Sequence, residues 1–286
     1  MITMDTLHEM RAYTKEARQK GETVGLVPTL GFLHEGHGAL IDQARRENRR
    51  VVVSVFVNPL QFGPSEDFSR YPRDLQKDRV FCEALGVDVV FAPSTSEMYG
   101  PDGALTRVHV ATLGDHLCGA SRPGHFDGVG TVVTKLFNIT QPDRAYFGQK
   151  DYQQLSIVRR LVSDLSISVE IVAVDTVREA DGLAKSSRNS YLTKEQRLLA
   201  PRLYEVLKRI QNRVAEGECD ASRLLREARA RLEATPGFRV DYLTCVDPQL
   251  LQPLSGLTAR QSAVFALAVF VGNTRLIDNI AVQCPA

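Results

Sequence analysis

Residues 27–37, VPTLGFLHEGH, hold the side chains best suited to chemistry. The apolar start reads as a strand ending at Pro28, a glycine-bearing turn follows, and a helix is expected to begin near Gly36. His34 and His37 then sit beside a helix start. Backbone N–H groups and the helix dipole favour anions there, and two imidazoles add directional donors. Glycine at 31, 36 and 38 removes side chains, so a nucleotide can approach the backbone closely. Metal ligation is a poor fit. H-E-G-H lacks the i, i+4 spacing of H-E-x-x-H and no third ligand is evident, so no metal site is assigned.

Three further segments carry candidate groups. Asn58 and Gln61, in FVNPLQFG, place two amides past an expected strand end, and amides bind hydroxyls and carboxylates without adding charge. Taken alone, N-P is only a turn signal. In FGQKDYQQ, Lys150 can neutralise a phosphate and Asp151 can orient that lysine or a ribose hydroxyl. Gln154 emerges on the same side, four residues beyond Lys150. A loop Lys-Asp pair is otherwise an ordinary solvated ion pair. Lys185 to Arg188, KSSR, joins two hydroxyls to a guanidinium, which suits a polyphosphate. Its surroundings, EADGLAKSSRNS, are polar and turn-prone and read as a mobile loop or domain junction. Neither a G-x-x-x-x-G-K-[ST] loop nor a G-x-G-x-x-G turn after the first strand is present, so phosphate binding needs a different cradle.

These segments need a scaffold that delivers strand ends to one edge. Short β-branched or aromatic runs at 23–27, 51–57, 87–91, 144–147 and 169–174 alternate with helical periodicity at 38–46, 74–85, 129–139 and 153–165. Such alternation predicts an α/β fold with a parallel sheet covered on both faces. After Val177 the pattern changes to two amphipathic helices, 193–215 and 221–234, then strands at 239–246, 263–271 and 275–280. That predicts a smaller α+β domain, with domains at 1–176 and 177–286.

Composition narrows the classes. Lys and Arg number 35 against 34 acidic residues, so no global field favours nucleic acid or an anionic membrane. Residues 1–20 lack the apolar region of a signal peptide, and no apolar run reaches the ~18 residues of a membrane span. The five cysteines are widely spaced with no C-x-x-C pair, and free thiols in a reducing cytosol are expected. The expected location is cytoplasmic.

In order, the segments resemble the pantothenate synthetase family along nearly the whole chain. The resemblance is carried by PTLGFLHEGH, VSVFVNPLQFG, Tyr71-Pro72-Arg73, SRPGHFDGV at 121–129, FGQKDYQQL and VREADGLAKSSRNSYL. The family is of the HIGH-type nucleotidyltransferase kind. It implies a Rossmann-like doubly wound parallel sheet, a smaller C-terminal lid domain that closes over the site, and a homodimer. The implied reaction joins pantoate to β-alanine through a pantoyl adenylate, with ATP and Mg2+ as substrate and no tightly bound organic cofactor.

Carried over by position, the ATP site would comprise Leu30, Gly31, Phe32, Leu33, His34, Glu35, Gly36 and His37 from the first segment. Gly148, Gln149, Lys150, Asp151, Val177, Lys185, Ser186, Ser187 and Arg188 would complete it. His34, His37, Lys150 and Arg188 would be catalytic, with His37 also described as a proton donor. Gln61 and Gln154 would hold pantoate, Gln61 also lying near β-alanine. Three positions depart from the family pattern: Leu30 for the usual Met, Gln149 for Glu, and Lys185 for an apolar residue. A nucleotidyltransferase releasing a dinucleotide-type product is the alternative, against which SRPGHF and the two glutamines argue. A non-catalytic nucleotide-binding module is disfavoured by the presence of both histidines, Lys150 and Arg188.

Overall fold

The structure, a computed structural model, describes residues 1–64 and 66–286. β1 (Ile2–Met4), α1 (Leu7–Gln19), β2 (Val24–Thr29), α2 (Glu35–Glu47), β3 (Arg50–Val55), α3 (Leu75–Ala84) and β4 (Val89–Phe91) open the chain. α4 (Thr95–Tyr99), α5 (Cys118–Ser121), α6 (His125–Thr140), β5 (Arg144–Gly148), α7 (Tyr152–Asp164) and β6 (Glu170–Val174) follow. α8 (Lys194–Leu199), α9 (Arg202–Ala215), α10 (Ala221–Glu233), β7 (Phe238–Val246), β8 (Ser262–Val271) and β9 (Thr274–Gln283) come last. Two compact units result. One comprises Met1–Asp115, Arg122–Gln149 and Gln154–Asp175, the other His116–Ser121, Lys150–Gln153 and Thr176–Ala286.

The first unit is built on a six-stranded parallel sheet in the order β1-β4-β3-β2-β5-β6. Its central strands β2, β3 and β4 are short valine-bearing runs buried along most of their length, as a parallel sheet with two covered faces requires. Leu40, Ile41 and Ala44 of α2 and Cys82 of α3 pack against Val27, Val51 and Val53 on one face. α1 and α6 pack on each other and on β2 to cover the other. This is the doubly wound arrangement expected, and chain order reverses between β2 and β5.

The register at that reversal is unequal. β2 pairs with β3 from Val24 to Thr29, but with β5 only at Gly25 and Leu26. The Val24 carbonyl accepts from Asp143 on the β5 side. Peptide groups alternate sides along a strand, so Pro28 also faces β5, where it has no N–H to donate. The ladder stops short of it, while β5 continues pairing with β6 as far as Gly148.

The second unit is a β7-β8-β9 antiparallel sheet with α9 and α10. Leu203, Leu207 and Ile210 of α9 and Leu224, Ala228 and Leu232 of α10 share a core with Phe265, Leu267 and Val269 of β8. The helix expected over 193–215 is two, α8 and α9, because Pro201 cannot donate to a continuous helix.

One region was not foreseen and one expectation needs correction. The N-terminal segment forms a strand and a helix, with Thr6 capping the Glu9 N–H and Met10, Thr14 and Ala17 buried. And the cysteines are not all free: Cys219 and Cys284 form a disulfide, whereas Cys82, Cys118 and Cys245 are free and buried. The fold brings together two cysteines 65 positions apart, which spacing rules do not see. Among the described residues no helix is long and apolar enough to cross a membrane.

Candidate active site

Between β2 and α2 the chain makes a strained turn. Gly31 and Phe32 both take positive φ, 82° and 52°, a region that costs a side-chain-bearing residue energy. Asp78 of α3, 1% exposed, holds the turn by accepting from the N–H groups of Phe32 (2.9 Å) and Leu33 (2.7 Å). A side chain at position 31 would meet Val55 at 2.9 Å and the Asp78 carboxylate at 3.0 Å, so glycine is needed there for space as well. Burial raises the Asp78 pKa, and the two backbone N–H bonds only partly oppose it. The Thr29 hydroxyl closes the other side, accepting from the Gly31 N–H and donating to the Ser54 carbonyl.

The turn delivers His34 to the start of α2 as its N-cap. His34 Nδ1 accepts from the Gly36 N–H at 3.1 Å, and His37 Nδ1 accepts from the His34 N–H at 3.2 Å. This is a reciprocal cap built from two imidazoles, with ring centroids 4.1 Å apart. An Nδ1 that accepts assigns the proton of the neutral ring to Nε2, which becomes the ring's donor.

The expectation that helix-start N–H groups would meet an anion is revised. Those of Gly31, Phe32, Leu33, His34, Gly36, His37 and Gly38 already have partners within the protein. The imidazoles are directional donors that this turn can offer an anion, with the helix dipole behind them.

Gln61 lies in a 3-10 turn, Pro59–Gln61, capped by Asn58. Asn58 is fully buried and uses its whole amide. Nδ2 donates to Gln61 Oε1 (3.2 Å) and the Gly128 carbonyl (3.0 Å), and Oδ1 accepts from Tyr99 and the Leu60 N–H. Burial pushes the Tyr99 hydroxyl pKa well up, so it stays a donor. With Oε1 of Gln61 taken, its NH2 is the end suited to a carboxylate or hydroxyl. A Cβ on Gly128 would lie 2.3 Å from the Leu60 carbonyl oxygen, so only glycine lets α6 approach this turn.

His125 Nδ1 donates to the Gln61 carbonyl at 2.7 Å, with Nε2 3.0 Å from the Arg122 guanidinium. Arg122 also grips Glu66 by two bonds. Burial pushes the Glu66 pKa up, but Arg122 outweighs it and leaves the carboxyl below its ordinary value. Gln154 is half-buried on the first turn of α7, and Gln149, directly after β5, donates to Asp175. Gly148 has nothing near its Cβ position.

In the second unit Lys150 lies in the 3-10 turn Gln149–Asp151, its ammonium 3.7 Å from Asp151. Gln153, one position before the expected Gln154, is buried, with its amide bonded to the backbone of His116 and Cys118. The segment read as a mobile loop or domain junction forms a closed hairpin just past the boundary between the two units. Arg178 and Ala184 form an antiparallel bridge, and the Lys185 N–H donates to the Val177 carbonyl at 2.9 Å. Ser186 then caps a 3-10 turn, Ser187–Tyr191, by accepting from the Arg188 N–H. Lys185 itself is half-buried.

Sequence reasoning missed the supporting residues. Asp78, Tyr99 and Asp278 carry no local motif and act on residues far along the chain, and Arg178 lay inside VREADGLAKSSRNSYL without an assigned task. Arg122 and His125 lay inside SRPGHFDGV without an assigned task.

Comparison with known proteins adds the family context. The family model described as Pantoate-beta-alanine ligase matches residues 2–281. The pantothenate synthetase of Moorella thermoacetica is 53% identical over 283 residues, covering 99% of both chains. That of Geobacillus kaustophilus is 51% identical, covering 100% of this chain and 94% of its own. Among solved structures, pantothenate synthetase from Thermus thermophilus matches with a TM-score of 0.90 at 51% identity, covering 98% of this chain and 99% of that one. Pantoate-beta-alanine ligase from Francisella tularensis, complexed with beta-gamma ATP and beta-alanine, matches with a TM-score of 0.80 at 37% identity, over 98% and 97%.

Proposed function

The chain belongs to the pantoate–beta-alanine ligase family, and from that membership we propose that it joins pantoate to β-alanine in an ATP-dependent reaction. A pantoate carboxylate oxygen attacks the α-phosphorus of ATP, the bond to the β-phosphate oxygen breaks, and pyrophosphate leaves. The amine of β-alanine then attacks the acyl carbon, the bond to AMP breaks, and the amine gives up a proton. A carboxylate is a poor electrophile, and adenylation supplies the leaving group it lacks. The protein's task is alignment and charge neutralisation rather than covalent catalysis.

The observation that carries this reading is the reciprocal histidine cap, with its two Nε2 donors at a helix start. His34 and His37 stabilise the phosphates as charge builds, with His37 as proton donor. Leu30, Gly31, Phe32, Leu33, Glu35 and Gly36 line the nucleotide site. Lys150 and Arg188 neutralise the phosphates, and Gly148, Gln149, Asp151, Val177, Lys185, Ser186 and Ser187 complete the ATP contacts. Gln61 and Gln154 hold pantoate, and Gln61 also meets β-alanine. Mg2+ comes with the triphosphate as part of the substrate. Among the described residues no cluster of three or more His, Cys, Asp or Glu could cage a metal, and Mg2+ bound through substrate phosphates needs none.

We further take residues 1–176 and 177–286 as the two domains, the enzyme as a cytoplasmic homodimer, and its partners as these small molecules alone. The Cys219–Cys284 bridge is uncommon in a reducing compartment. Radiolabelled pyrophosphate should exchange into ATP with pantoate present and β-alanine absent, and adding β-alanine should yield pantothenate and AMP. Exchange that strictly needs β-alanine would exclude a free-standing adenylate, and a dinucleotide product would point to the alternative transferase.

A further inference from the structure

We propose that Asp278 and Asn279, neighbours on β9, are positioning residues that together fix both segments assigned to the triphosphate. The proposal rests on the reading of Lys150 and of Lys185 to Arg188 as ATP-binding. Consecutive residues on a strand point to opposite sides, so adjacent side chains can hold two different segments. Asn279 Nδ2 donates to the Lys150 carbonyl at 2.9 Å, tying down the turn that bears the lysine. Asp278, 3% exposed, accepts both arms of the Arg178 guanidinium at 2.7 and 2.9 Å and also the Asn279 N–H.

Arg178 is where the hairpin leading to Lys185 begins. Besides Asp278, it donates to the Gly182 carbonyl and lies 3.8 Å above the Tyr204 ring. Gly182, at φ 92°, has no room for a side chain, since a Cβ would fall 2.4 Å from Tyr204. The hairpin is thus locked against α9 and β9 at its base. Its last rung, Lys185 N–H to Val177 carbonyl, sets where residues 185–188 begin. A fork-to-carboxylate pair fixes direction as well as distance, which a single hydrogen bond does not. A regular strand is also a more rigid support than the loops it holds. An ion pair that served only stability would need no neighbour reaching the backbone of a second phosphate-site residue.

The test uses the full-length enzyme and reads KM for ATP and for pantoate in pyrophosphate exchange, with melting curves alongside. Asn279→Ala should raise KM for ATP about fivefold, as loss of one neutral hydrogen bond implies, with KM for pantoate within about twofold of wild type. Asp278→Asn should raise it about tenfold or more, since a charge-assisted pair is lost. Arg178→Lys, which keeps the charge without the fork, should fall between wild type and Asp278→Asn. Lys150→Ala and Arg188→Ala run in parallel. If they leave KM for ATP unchanged, the reading beneath the proposal fails and the proposal fails with it. If they raise it while folded β9 variants do not, the proposal alone is overturned. Equal losses for ATP and pantoate would likewise overturn it, because they mark a purely structural role. Should Asp278→Asn not fold, Asn279→Ala and Arg178→Lys decide the matter.

Discussion

The histidine turn of the first unit and the Lys185 hairpin of the second each depend on one buried aspartate, and the two carboxylates find different partners. Asp78 accepts from two backbone amides, and burial raises its pKa. Asp278 faces the paired nitrogens of Arg178. Neutral donors suffice in the first region because the object held is the backbone itself, bent into a left-handed turn at Gly31 and Phe32. In the second region the object is the base of a hairpin, and a guanidinium fork fixes its direction as well as its position. A buried acid can therefore shape backbone through amide donors rather than an ion pair, at the cost of an ionised group in a desolvated place.

The contrast can be broken most severely at the imidazoles. His34→Ala or His37→Ala should slow single-turnover adenylation by roughly two to three orders of magnitude, the loss typical of a transition-state donor. Each variant should remain folded, losing about 1 kcal/mol of capping energy. Near-normal adenylation in both would remove the histidine turn from the chemistry altogether.

Asp78 offers the next largest effect. Asp78→Ala leaves two buried N–H groups without their acceptor and should lower the unfolding free energy by about 2–4 kcal/mol in urea titration. A loss below about 1 kcal/mol would mean the turn finds other partners. The pH dependence has a definite sign. A folded pKa raised above the ordinary 3.8 means the fold binds this proton more readily than the unfolded chain does. That contribution is complete below the unfolded value and is lost as pH rises through the folded one. Wild type should therefore gain stability relative to Asp78→Asn on acidification from neutrality. A pH-independent difference between the two would contradict this.

Gln61→Ala should weaken pantoate binding about tenfold and ATP binding little, since an amide hydrogen bond to a charged group is lost. Calorimetry giving the reverse order would move Gln61 to the nucleotide. Smallest of all is Lys185→Leu, expected to change ATP affinity by less than about 1 kcal/mol at low salt, as for a partly screened charge. A larger loss would make this lysine a true partner of the phosphates and the second region still more cation-dependent.

What the sequence could disclose follows from how local each signal is. Alternating valine-rich runs and helical periodicity disclosed the parallel sheet and its flanking helices, since both patterns repeat within a few residues. The His34–His37 pair was legible for the same reason. Asp78 acts 45 and 46 positions away, and Asp278 acts 100 positions away on Arg178, so neither carries a local signature. The hairpin bridged at Arg178 and Ala184 was not told apart from a mobile loop or domain junction, because small polar residues suit those and tight turns alike. β1 escaped notice through brevity, three residues being too few to show a period. Pro201, by contrast, was in plain view and already marked the α8–α9 break.

Pro28 gives the sheet a seam that cannot be sewn further. A residue with an N–H there could reach toward β5 and extend the ladder by another rung, gaining about 1 kcal/mol for a typical backbone bond. The proline withholds that bond at the one boundary where the order of strands reverses, which is where open α/β sheets receive their ligands. Selection for pairing alone would replace it, and the substitution would be expected to lengthen the β2–β5 ladder. The loops carrying Leu30 to His37 and Gly148 to Gln149 leave the sheet from the two lips of that seam. A missing hydrogen atom on one ring nitrogen thus leaves these two strands unstitched beyond Leu26.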